Sequence, residues 1–498
     1  MNVRRKKSER ELSLRAALSK TKSCGTLADH PCFQRAADGD RPRSESASVL
    51  VGVLWCVVLL GIVVVSVLHT ARIDLMTAKN YGDRIQAHYL ALAGIEKAKA
   101  LLNQNARERS RSGKNHTGEL YDAPDQFRDI ELGRGEFRVM RRARQDEGGG
   151  IVYGVSDEES RLNINVADGT ALAKLDNITP PIIAAINDWR DPDNSASPGG
   201  AEAEFYLSLT PPRLPRNGPF MSIRELLMVR DVTPDLLLGN DRQQNDLLDS
   251  VEDATGNSSQ NDNRAADVDT GWAGILTVDS TDDNVSAAGT DRINVQTASE
   301  TELRGIPGVT AEIARAIVAY RGQNQIRNIA SLLDVTPPQN NNQNSGRGNR
   351  PNQRGTDPLQ DSGSSSGQRV ISQDLLMDMA DDITAEDGDT KPGLININTA
   401  SLSVLICLPG VDRELAQAII SYRRSSGFLP NIAHLLKVPG MNADIFKQVA
   451  PLVTARSETF RIFSEGVVKS TGARQRIQAV VHVGLNSATT LEYREDDL

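Results

Sequence analysis

A run of uncharged residues from Ala47 to Leu68 constrains this chain more than any other feature. A helix rises 1.5 Å per residue, so a run of about 22 residues crosses a hydrocarbon core of roughly 30 Å. The alternatives are a buried helix in a soluble domain and a cleaved secretory signal. Uniform hydrophobicity of this length is rare outside membranes, and no A-x-A-like cleavage site follows the run. The run therefore predicts a transmembrane helix.

Residues 69–103 continue the helical pattern, because they contain no proline and are rich in helix formers. The apolar positions that recur at spacings of three, four and seven are Ile85, Tyr89, Leu92, Ile95 and Leu102. This is the periodicity of an amphipathic helix. We expect one long helix whose first half lies in the membrane and whose second half presents an apolar stripe to a folded domain or a partner.

The charge distribution predicts how the chain is oriented. Residues 1–43 hold 11 Lys and Arg against 5 Asp and Glu, a net charge of +6. The whole chain has a net charge of -9, so the remainder carries -15. The positive-inside rule then places the N-terminus in the cytoplasm and everything after Leu68 outside it. The expected location is the inner membrane with a single pass, with the bulk of the chain in the periplasm and residues 1–46 as a disordered basic leader.

The second half of the chain contains an internal repeat. Residues 293–321 match residues 395–423 at a constant offset of 102, and residues 162–190 are an eroded copy at an offset of 131. Each copy reads as strand end, helix, tight hairpin, helix, which is a helix-hairpin-helix unit. Asn177 stands in the eroded copy where the others have glycine, and Asn is the next most tolerant residue for left-handed geometry. We therefore expect the hairpin to survive there.

The repeats and the segments between them divide the chain into predicted regions. In chain order these are leader 1–46, transmembrane helix 47–68, outer half of the long helix 69–103, strands 104–161, first repeat 162–239, linker 240–273, second repeat 274–336, Asn- and Ser-rich disordered linker 337–368, third repeat 369–456, C-terminal strands 457–485 and tail 486–498. Within the strand regions, residues 135–143, 150–157, 458–470 and 474–484 have strand character, with Thr471-Gly472 as a turn.

The hairpins have two interpretations. In nucleic-acid binding, the backbone N–H groups at Gly308, Val309, Gly410 and Val411 would face a phosphate at a helix N-terminus. The acidic balance, Asp412 at one hairpin and the lost glycine of the first copy oppose this use. We favour a protein-packing role.

An acidic insertion follows the first copy. Its candidate metal ligands are Asp188, Asp191, Asp193, Glu202 and Glu204, the oxygen donors that calcium prefers. The spacing of an EF-hand is absent, so a solvated acidic loop remains open as the alternative. The dispersed histidines, and the lack of a G-x-S-x-G or P-loop motif, predict a protein that is not an enzyme.

Taken in order, several segments resemble the minor pseudopilin K family of type II secretion systems (general secretion pathway protein K). The carriers are SVLVGVLWCVVLL, ARIDLMTAKNYGDRIQAHYLALAGIEKA, SDEESRLNINVA, AAINDWRDPDN, GGAEAEFY, PFMSIRELLMV, and the run ININTAS, LPGV and AIISYR. The resemblance covers about residues 47–485 apart from the linkers.

The resemblance implies an α+β fold, with a long N-terminal helix on an antiparallel sheet and a large helical domain inserted between strands. It implies a place at the tip of a short pseudopilus, contacts with other minor pseudopilins through the long helix, and a calcium site in the inserted domain. Family members are cut after a glycine just before the apolar run, whereas Ala47 and Ser48 occupy the corresponding site here. Gly52 stands where ordinary pilins carry a glutamate. The alternative function is a membrane-anchored DNA receptor of the competence type.

Overall fold

The structure is a computed structural model that describes residues 45–115, 118–244, 268–337, 369–485 and 487–496. The predicted leader up to residue 44 lies outside the described residues, as do residues 245–267 and 338–368 of the predicted linkers. The chain divides into two compact units, residues 1–74 and 75–498. The described part of the first unit is helical throughout.

One helix runs from Glu45 to Ser112, which confirms the expected long N-terminal helix. Within the described residues it is the one helix long and apolar enough, by length and composition, to cross a membrane. It extends nine residues beyond the predicted end at 103. Gln104 donates a hydrogen bond to Glu108 one turn later, and Arg109 is held by an ion pair to buried Glu458. Beyond residue 103 the helix has no large apolar side chain, and buried Ala106 together with these polar contacts continues it to Ser112.

An antiparallel sheet of seven strands carries the outer half of this helix. The strands are β1 (Ile130–Leu132), β2 (Gly135–Arg142), β3 (Ile151–Val152), β4 (Ser156–Asp157), β5 (Thr459–Val468), β6 (Arg474–Val483) and β7 (Ala488–Asp496). The main order is β1-β2-β5-β6-β7, with β3 beside β2 and β4 beside β5. The predicted C-terminal tail is wrong, because residues 488–496 pair with β6 as a full edge strand. The strands of the sheet come from both sides of the repeats, as the pilin-like prediction required.

The helix packs on the sheet through small and apolar side chains. The shared core consists of Ala91, Ile95, Ala98, Leu102, Ala106, Phe127, Val139, Val155, Phe460, Ile462, Ile477, Ala479, Val481 and Val483. Gly466 of β5 lies directly under the helix, since an added Cβ there would be 2.2 Å from the Ala87 carbonyl oxygen. Two backbones can approach this closely only where one of them has no side chain.

The inserted domain consists of three repeats, and a two-residue parallel strand pair closes each of them. Strands pair at 162–163 with 276–277, at 293–294 with 383–384, and at 395–396 with 453–454. These pairings change two predicted boundaries. Residues 276–277 close the first repeat rather than open the second, and residues 369–384 close the second rather than open the third. The predicted linker 337–368 therefore falls inside the second repeat.

The repeats share the same order of short helices. The helices are Gly169–Leu172, Pro180–Arg190, Ala203–Leu207 and Pro234–Leu238 in the first repeat, Glu300–Leu303, Ala311–Arg321 and Gln373–Met379 in the second, and Leu402–Ile406, Arg413–Ser426 and Ala443–Val449 in the third. A 3₁₀ helix precedes the last helix of each repeat, at Ile223–Met228, Ile329–Asp334 and Ile432–Lys437. The remaining elements are helix Pro124–Phe127, 3₁₀ turns Glu119–Tyr121, Gln145–Glu147, Glu158–Ser160, Gly271–Gly274 and Ala450–Leu452, and the antiparallel strand pair Thr281–Asp283 with Thr390–Pro392.

An arginine holds the second helix of each repeat against the opening strand. Arg190, Arg321 and Arg423 donate hydrogen bonds to the carbonyl oxygens of Ile164, Val295 and Ile397 respectively. The three arginines and the three carbonyls follow the same offsets of 131 and 102 as the sequence repeat. One continuous hydrophobic core runs through all three repeats. The repeats therefore form a single packed body.

Three consecutive carboxylates join this body to the sheet. Asp157 accepts hydrogen bonds from Asn396 and Thr399 of the third repeat. Glu158 accepts from Thr277 of the first repeat and forms an ion pair with Arg461 of β5. Glu159 accepts from the backbone N–H groups that lead into β5. All three side chains are buried, and the turn of residues 157–159 (the carboxylate turn) ties the sheet to two repeats.

The contact at Gly466 yields a prediction about stability. We expect Gly466→Ala to lower the midpoint of thermal unfolding of the full chain in detergent, because the added methyl group would collide with the helix backbone at Ala87 and Ala91. Overpacking of this kind costs about 1–3 kcal/mol.

Gly82→Ala is the matched control, because Gly82 is helical and has no atom within 4 Å of an added Cβ. This change should leave the midpoint unchanged or raise it, since alanine favours a helix by up to about 1 kcal/mol over glycine. An equal midpoint for Gly466→Ala and the unmodified chain would contradict the close approach.

Candidate functional site

The acidic insertion of the first repeat brings several carboxylates close together. Asp188 lies in the last turn of the helix Pro180–Arg190, Asp191 caps its C-terminus, and Glu202 precedes the helix Ala203–Leu207. One carboxylate oxygen from each of these three residues lies within 4.8 Å of the other two. The loop between the two helices thus brings together three of the five predicted ligands. We call this group the acidic cluster.

The loop closes tightly over Asp188. Both oxygens of this carboxylate accept from the Ser197 backbone N–H, at 3.2 and 3.1 Å. An added Cβ at Gly200 would lie 2.0 Å from Asp188 Oδ2, so glycine is required for this approach. Arg230 donates to the Gly200 carbonyl oxygen and fixes the far end of the loop.

Buried aromatic side chains next to the acidic cluster hold its two helices in place. Trp189 and Tyr206 are buried and meet edge to face, with ring centroids 5.1 Å apart. The Trp189 indole donates to Glu225, and the Tyr206 hydroxyl accepts from the Arg230 backbone N–H. Both helices that carry the ligands are therefore anchored in the core.

Several oxygens of the acidic cluster lack partners. Among the described residues, Asp191 Oδ1 and both carboxylate oxygens of Glu202 are buried with no hydrogen-bond partner. Burial and the nearby carboxylates raise the pKa of Asp191 and that of Glu202. An isolated group of like charges with unsatisfied oxygens is unfavourable, and a bound divalent cation would satisfy it. The donor set, all oxygen, fits calcium.

The structure does not bring the other two predicted ligands into the cluster. Asp193 is exposed, and its Oδ1 accepts from the Ser195 backbone N–H. Glu204 is exposed on the first turn of its helix. All five residues remain predicted metal ligands. Asp188, Asp191 and Glu202 are the better candidates, because their carboxylates converge.

The hairpins have the expected backbone geometry. Gly308 and Gly410 have φ angles of +80° and +72°, and Asn177 of the eroded copy has φ +59°. The side chains of Val309 and Val411 are buried in the core. A Cβ added at Gly308 would contact Leu375, and one added at Gly410 would contact Ile445. Each hairpin therefore packs on the last helix of its own repeat.

A second set of hairpins was missed in the sequence. Asp231 and Gly440 also take positive φ, +63° and +90°, before the last helices of the first and third repeats. The signal was present as Pro439-Gly440, which repeats Pro409-Gly410. Each of these two repeats thus has a second left-handed turn directly before its last helix.

The helix that follows Gly410 has an occupied N-terminus. Asp412 accepts from the Leu415 backbone N–H at 2.8 Å, which places a negative charge where a phosphate would bind. In the second repeat the cap is the neutral Thr310, whose hydroxyl accepts from Ile313. The geometry therefore opposes phosphate binding at Gly410 and leaves it open at Gly308.

A second group of possible metal ligands was not anticipated from the sequence. Asp283, Glu458 and His482 place ligand atoms within 4.8 Å of one another. Glu458 already accepts from Arg109 at 2.9 Å and from the Asp283 backbone N–H at 2.8 Å, and Arg456 lies 3.6 Å away. Two guanidinium groups oppose a further cation, so this group stabilises the junction of sheet and repeats.

Comparisons with known proteins agree with this organisation. Residues 169–239 match the family model described as type II secretion system (T2SS), protein K. Residues 289–337 and 391–454 match the helix-hairpin-helix motif model.

Curated relatives match only parts of the chain. Endonuclease/exonuclease/phosphatase family domain-containing protein 1 of Rattus norvegicus is 30% identical over 174 residues, 33% of this chain and 28% of the relative. The Homo sapiens protein of that name is 30% identical over 172 residues, with the same shares. ComE operon protein 1 of Bacillus subtilis (strain 168) is 36% identical over 66 residues, 13% of this chain and 32% of the relative. The chain therefore spans about a third or less of these relatives.

A solved structure resembles the chain over most of its length. One chain of the crystal structure of the GspK-GspI-GspJ complex from the enterotoxigenic Escherichia coli type 2 secretion system covers 83% of this chain and 98% of its own length. The sequence identity is 13% and the TM-score is 0.40.

The long helix, the antiparallel sheet and the inserted repeats define a pilin-like protein with a helix-hairpin-helix domain. Over residues 169–239 the first repeat is similar to type II secretion system protein K.

The acidic cluster predicts a pH dependence for the metal-free chain. The pKa values of Asp191 and Glu202 are raised in the folded state, so the unfolded state binds fewer protons between the ordinary carboxylate pKa, about 4, and the raised values. Stability in the presence of a chelator should therefore fall as the pH rises through this window.

Glu202→Gln should reduce this fall, because it removes one of the repelling charges. Glu204→Gln, an exposed neighbour, should leave the pH dependence unchanged. The measurement is the thermal midpoint between pH 4 and pH 8 in chelator. Equal pH profiles for Glu202→Gln and the unmodified chain would show that the carboxylates do not interact.

Proposed function

We propose that this chain is a non-enzymatic minor pseudopilin that caps the tip of the type II secretion pseudopilus and is needed for protein export across the outer membrane. The observation that carries the proposal is the insertion of residues 162–454, which include the protein K match, into a pilin-like sheet. A pilin-like sheet on a long helix suits packing beside other such subunits. A large inserted domain suits a position where nothing is added beyond it.

The long helix supplies the contacts in this proposal. Its apolar first part anchors the chain in the inner membrane, with the basic leader in the cytoplasm and the remainder in the periplasm. Its later part, on the sheet, leaves Tyr81 and Tyr89 exposed at 68% and 63%. Exposed aromatic side chains on a helix are suited to packing against helices of other minor pseudopilins. Gly52 in place of a glutamate is consistent with a subunit that has no neighbour above it.

The acidic cluster supports a further part of the proposal, a calcium ion held by Asp188, Asp191 and Glu202. When bound, calcium would neutralise the three carboxylates. The residues of the chain orient the site: Gly200 lets the loop close, and Arg230 and the Ser197 backbone hold it. The site then joins the insertion loop to the helix Pro180–Arg190 and stiffens the first repeat.

Secretion in the native host tests the pseudopilin role. Deletion of the gene should abolish export of the secreted proteins, and the full chain should restore it. Tyr81→Asp with Tyr89→Asp should fail to restore export and should lose co-purification with small pilin-like subunits, because charges would enter the helix interface.

The control for this test is Leu132→Asp, which alters an exposed apolar side chain on β1, away from the helix. It should restore export. Normal export in the deletion strain would overturn the proposal. Tight, salt-sensitive binding of the full chain to duplex DNA would instead support the receptor alternative, through the Gly308 hairpin.

Calcium titration tests the metal. Calcium added to the chelated full chain should raise the thermal midpoint, by an amount that reflects about 2.7 kcal/mol at a concentration of 100 times the Kd. Magnesium should have a smaller effect, because it demands a tighter octahedral geometry.

Asp188→Asn and Glu202→Gln should abolish the calcium effect, while Glu204→Gln retains it as the matched control. A midpoint that is insensitive to calcium in the unmodified chain would show that the acidic cluster is not a calcium site.

A further inference from the structure

A proline-rich segment of the first repeat has a period of three in its sequence. Residues 211–216 read Pro-Pro-Arg-Leu-Pro-Arg, so an apolar residue, a proline and an arginine follow one another twice. A polyproline II helix repeats every three residues, so side chains three apart form a ridge along it. The pattern gives two apolar ridges and one basic ridge, which are Pro211 with Leu214, Pro212 with Pro215, and Arg213 with Arg216. We call residues 211–216 the proline segment.

The prolines hold the backbone of the proline segment extended. Each proline ring fixes φ at about −65°, and a residue that precedes a proline is disfavoured in helical geometry. Leu214 precedes Pro215, and Pro211 precedes Pro212. Residues 212–216 form neither helix nor strand, as expected for polyproline II, which has no hydrogen bonds of its own. At about 3.1 Å per residue, the proline segment extends over about 19 Å.

The basic ridge faces the first repeat. The Arg213 guanidinium lies over the ring of buried Tyr206, 5.6 Å from the ring centroid. The Arg213 backbone N–H donates to the Tyr206 carbonyl oxygen at 3.2 Å. Arg216 lies 3.5 Å from the carboxylate of Glu225, on the 3₁₀ helix Ile223–Met228. Both arginine side chains therefore point back toward the body of the repeat.

The apolar ridges face solvent. Pro211 and Pro212 are exposed, Leu214 is 64% exposed, and Pro215 is half-buried. In a polyproline II helix the two apolar ridges are neighbours, because the third ridge is the basic one. The proline segment thus presents one continuous apolar face on the side opposite its arginines.

Hydrogen bonds hold the loop in place beyond the proline segment. The Asn217 side chain donates to the Asp193 carbonyl oxygen and to Asn194 Oδ1 of the acidic insertion. Phe220 is buried, and its backbone N–H donates to Asn165 Oδ1 at 2.7 Å. A segment that is already ordered loses little conformational entropy when it binds.

Arg216 offers a charge at the C-terminal end of the proline segment. Its partner Glu225 already accepts from the Trp189 indole at 3.1 Å and from the Met221 backbone N–H at 2.9 Å. The Arg216 side chain is 39% exposed, and no acidic residue occurs in residues 205–224. A guanidinium group has several N–H donors, so the contact with Glu225 leaves donors for a second carboxylate.

We propose that the proline segment docks in an aromatic-lined groove of a partner protein, with a carboxylate at one end of the groove paired with Arg216. Pro212 and Pro215 have the P-x-x-P spacing, and grooves lined by aromatic rings recognise such segments in the polyproline II conformation. A lipid surface is less suited, because the arginines point toward the repeat. The inference goes beyond the pseudopilin function and uses no residue of the long helix or the sheet.

Photocrosslinking with peptide competition tests the proposal on the full chain, in membranes isolated from the native host. With p-benzoylphenylalanine in place of Leu214, we expect an adduct with one protein, and peptide mapping should place the link beside a Trp or Tyr. A synthetic peptide of residues 209–219 should suppress the adduct. The same peptide with Pro212→Ala and Pro215→Ala should not, because it lacks one ridge and is less ordered.

The control label replaces Leu132, which is 50% exposed on β1. It should give no adduct that the peptide suppresses. No adduct at Leu214, an adduct with lipid or with a second copy of this chain, or an adduct that the unmodified peptide leaves intact would overturn the inference.

Co-purification with the crosslinked protein tests the two contacts separately. Arg216→Gln should lower it by about tenfold, through the loss of a charge-assisted hydrogen bond. Leu214→Asp should lower it at least as much, because a charge would enter the apolar groove. Arg224→Gln, which alters an exposed arginine outside the proline segment, should retain it. Equal recovery with Leu214→Asp and with the unmodified chain would contradict the proposal.

Export by the deletion strain tests the pseudopilin function without reference to the proline segment. The two proposals can therefore fail independently.

Discussion

The carboxylate turn of Asp157, Glu158 and Glu159 is the interaction on which the rest of the architecture depends. Buried charges are costly unless each has a partner, so these side chains fix the positions of the groups that satisfy them. Burial alone would raise the pKa of Glu158, but the guanidinium group of Arg461 holds that pKa below its usual range. Burial raises the pKa of Asp157 and of Glu159, where like charges add to the effect for Glu159. The junction between sheet and repeats is thus specified by polar groups, while the cores on either side are apolar.

The three repeats show how one fold tolerates divergence. The arginine bond to the opening strand and the closing strand pair are kept in each, and all three contribute to one core. The first repeat has exchanged its hairpin glycine for Asn177 but has retained the left-handed turn. It has also acquired the insertion that holds the acidic cluster. The proposed cation site rests on this insertion, where both carboxylate oxygens of Glu202 lack hydrogen-bond partners among the described residues.

The long helix and the last strand of the sheet lie far apart in the chain. They come from opposite ends of the described residues and meet at His88 and Glu495. The repeats lie between them in sequence, so the pilin-like part is completed by segments from both sides of the inserted domain. In the proposed function, the inserted domain carries the cation site and the pilin-like part carries the contacts with other subunits.

The sequence by itself determined the features that arise from local pattern. The apolar run, the helical periodicity, the repeat offsets, the left-handed turns at Gly308 and Gly410, and the acidic insertion could all be read within short windows. Only the tertiary structure decided which segments pair. Strand 276–277 closes the first repeat, and two-residue strands have no periodicity to detect. The sequence of β7 is rich in charged residues and has little strand pattern, so its pairing with β6 could not be predicted from the sequence. The path of the loop brings Asp188, Asp191 and Glu202 together and leaves Asp193 and Glu204 exposed. The direction of a side chain depends on contacts between residues that are distant in sequence, so the sequence alone could not divide the five candidates.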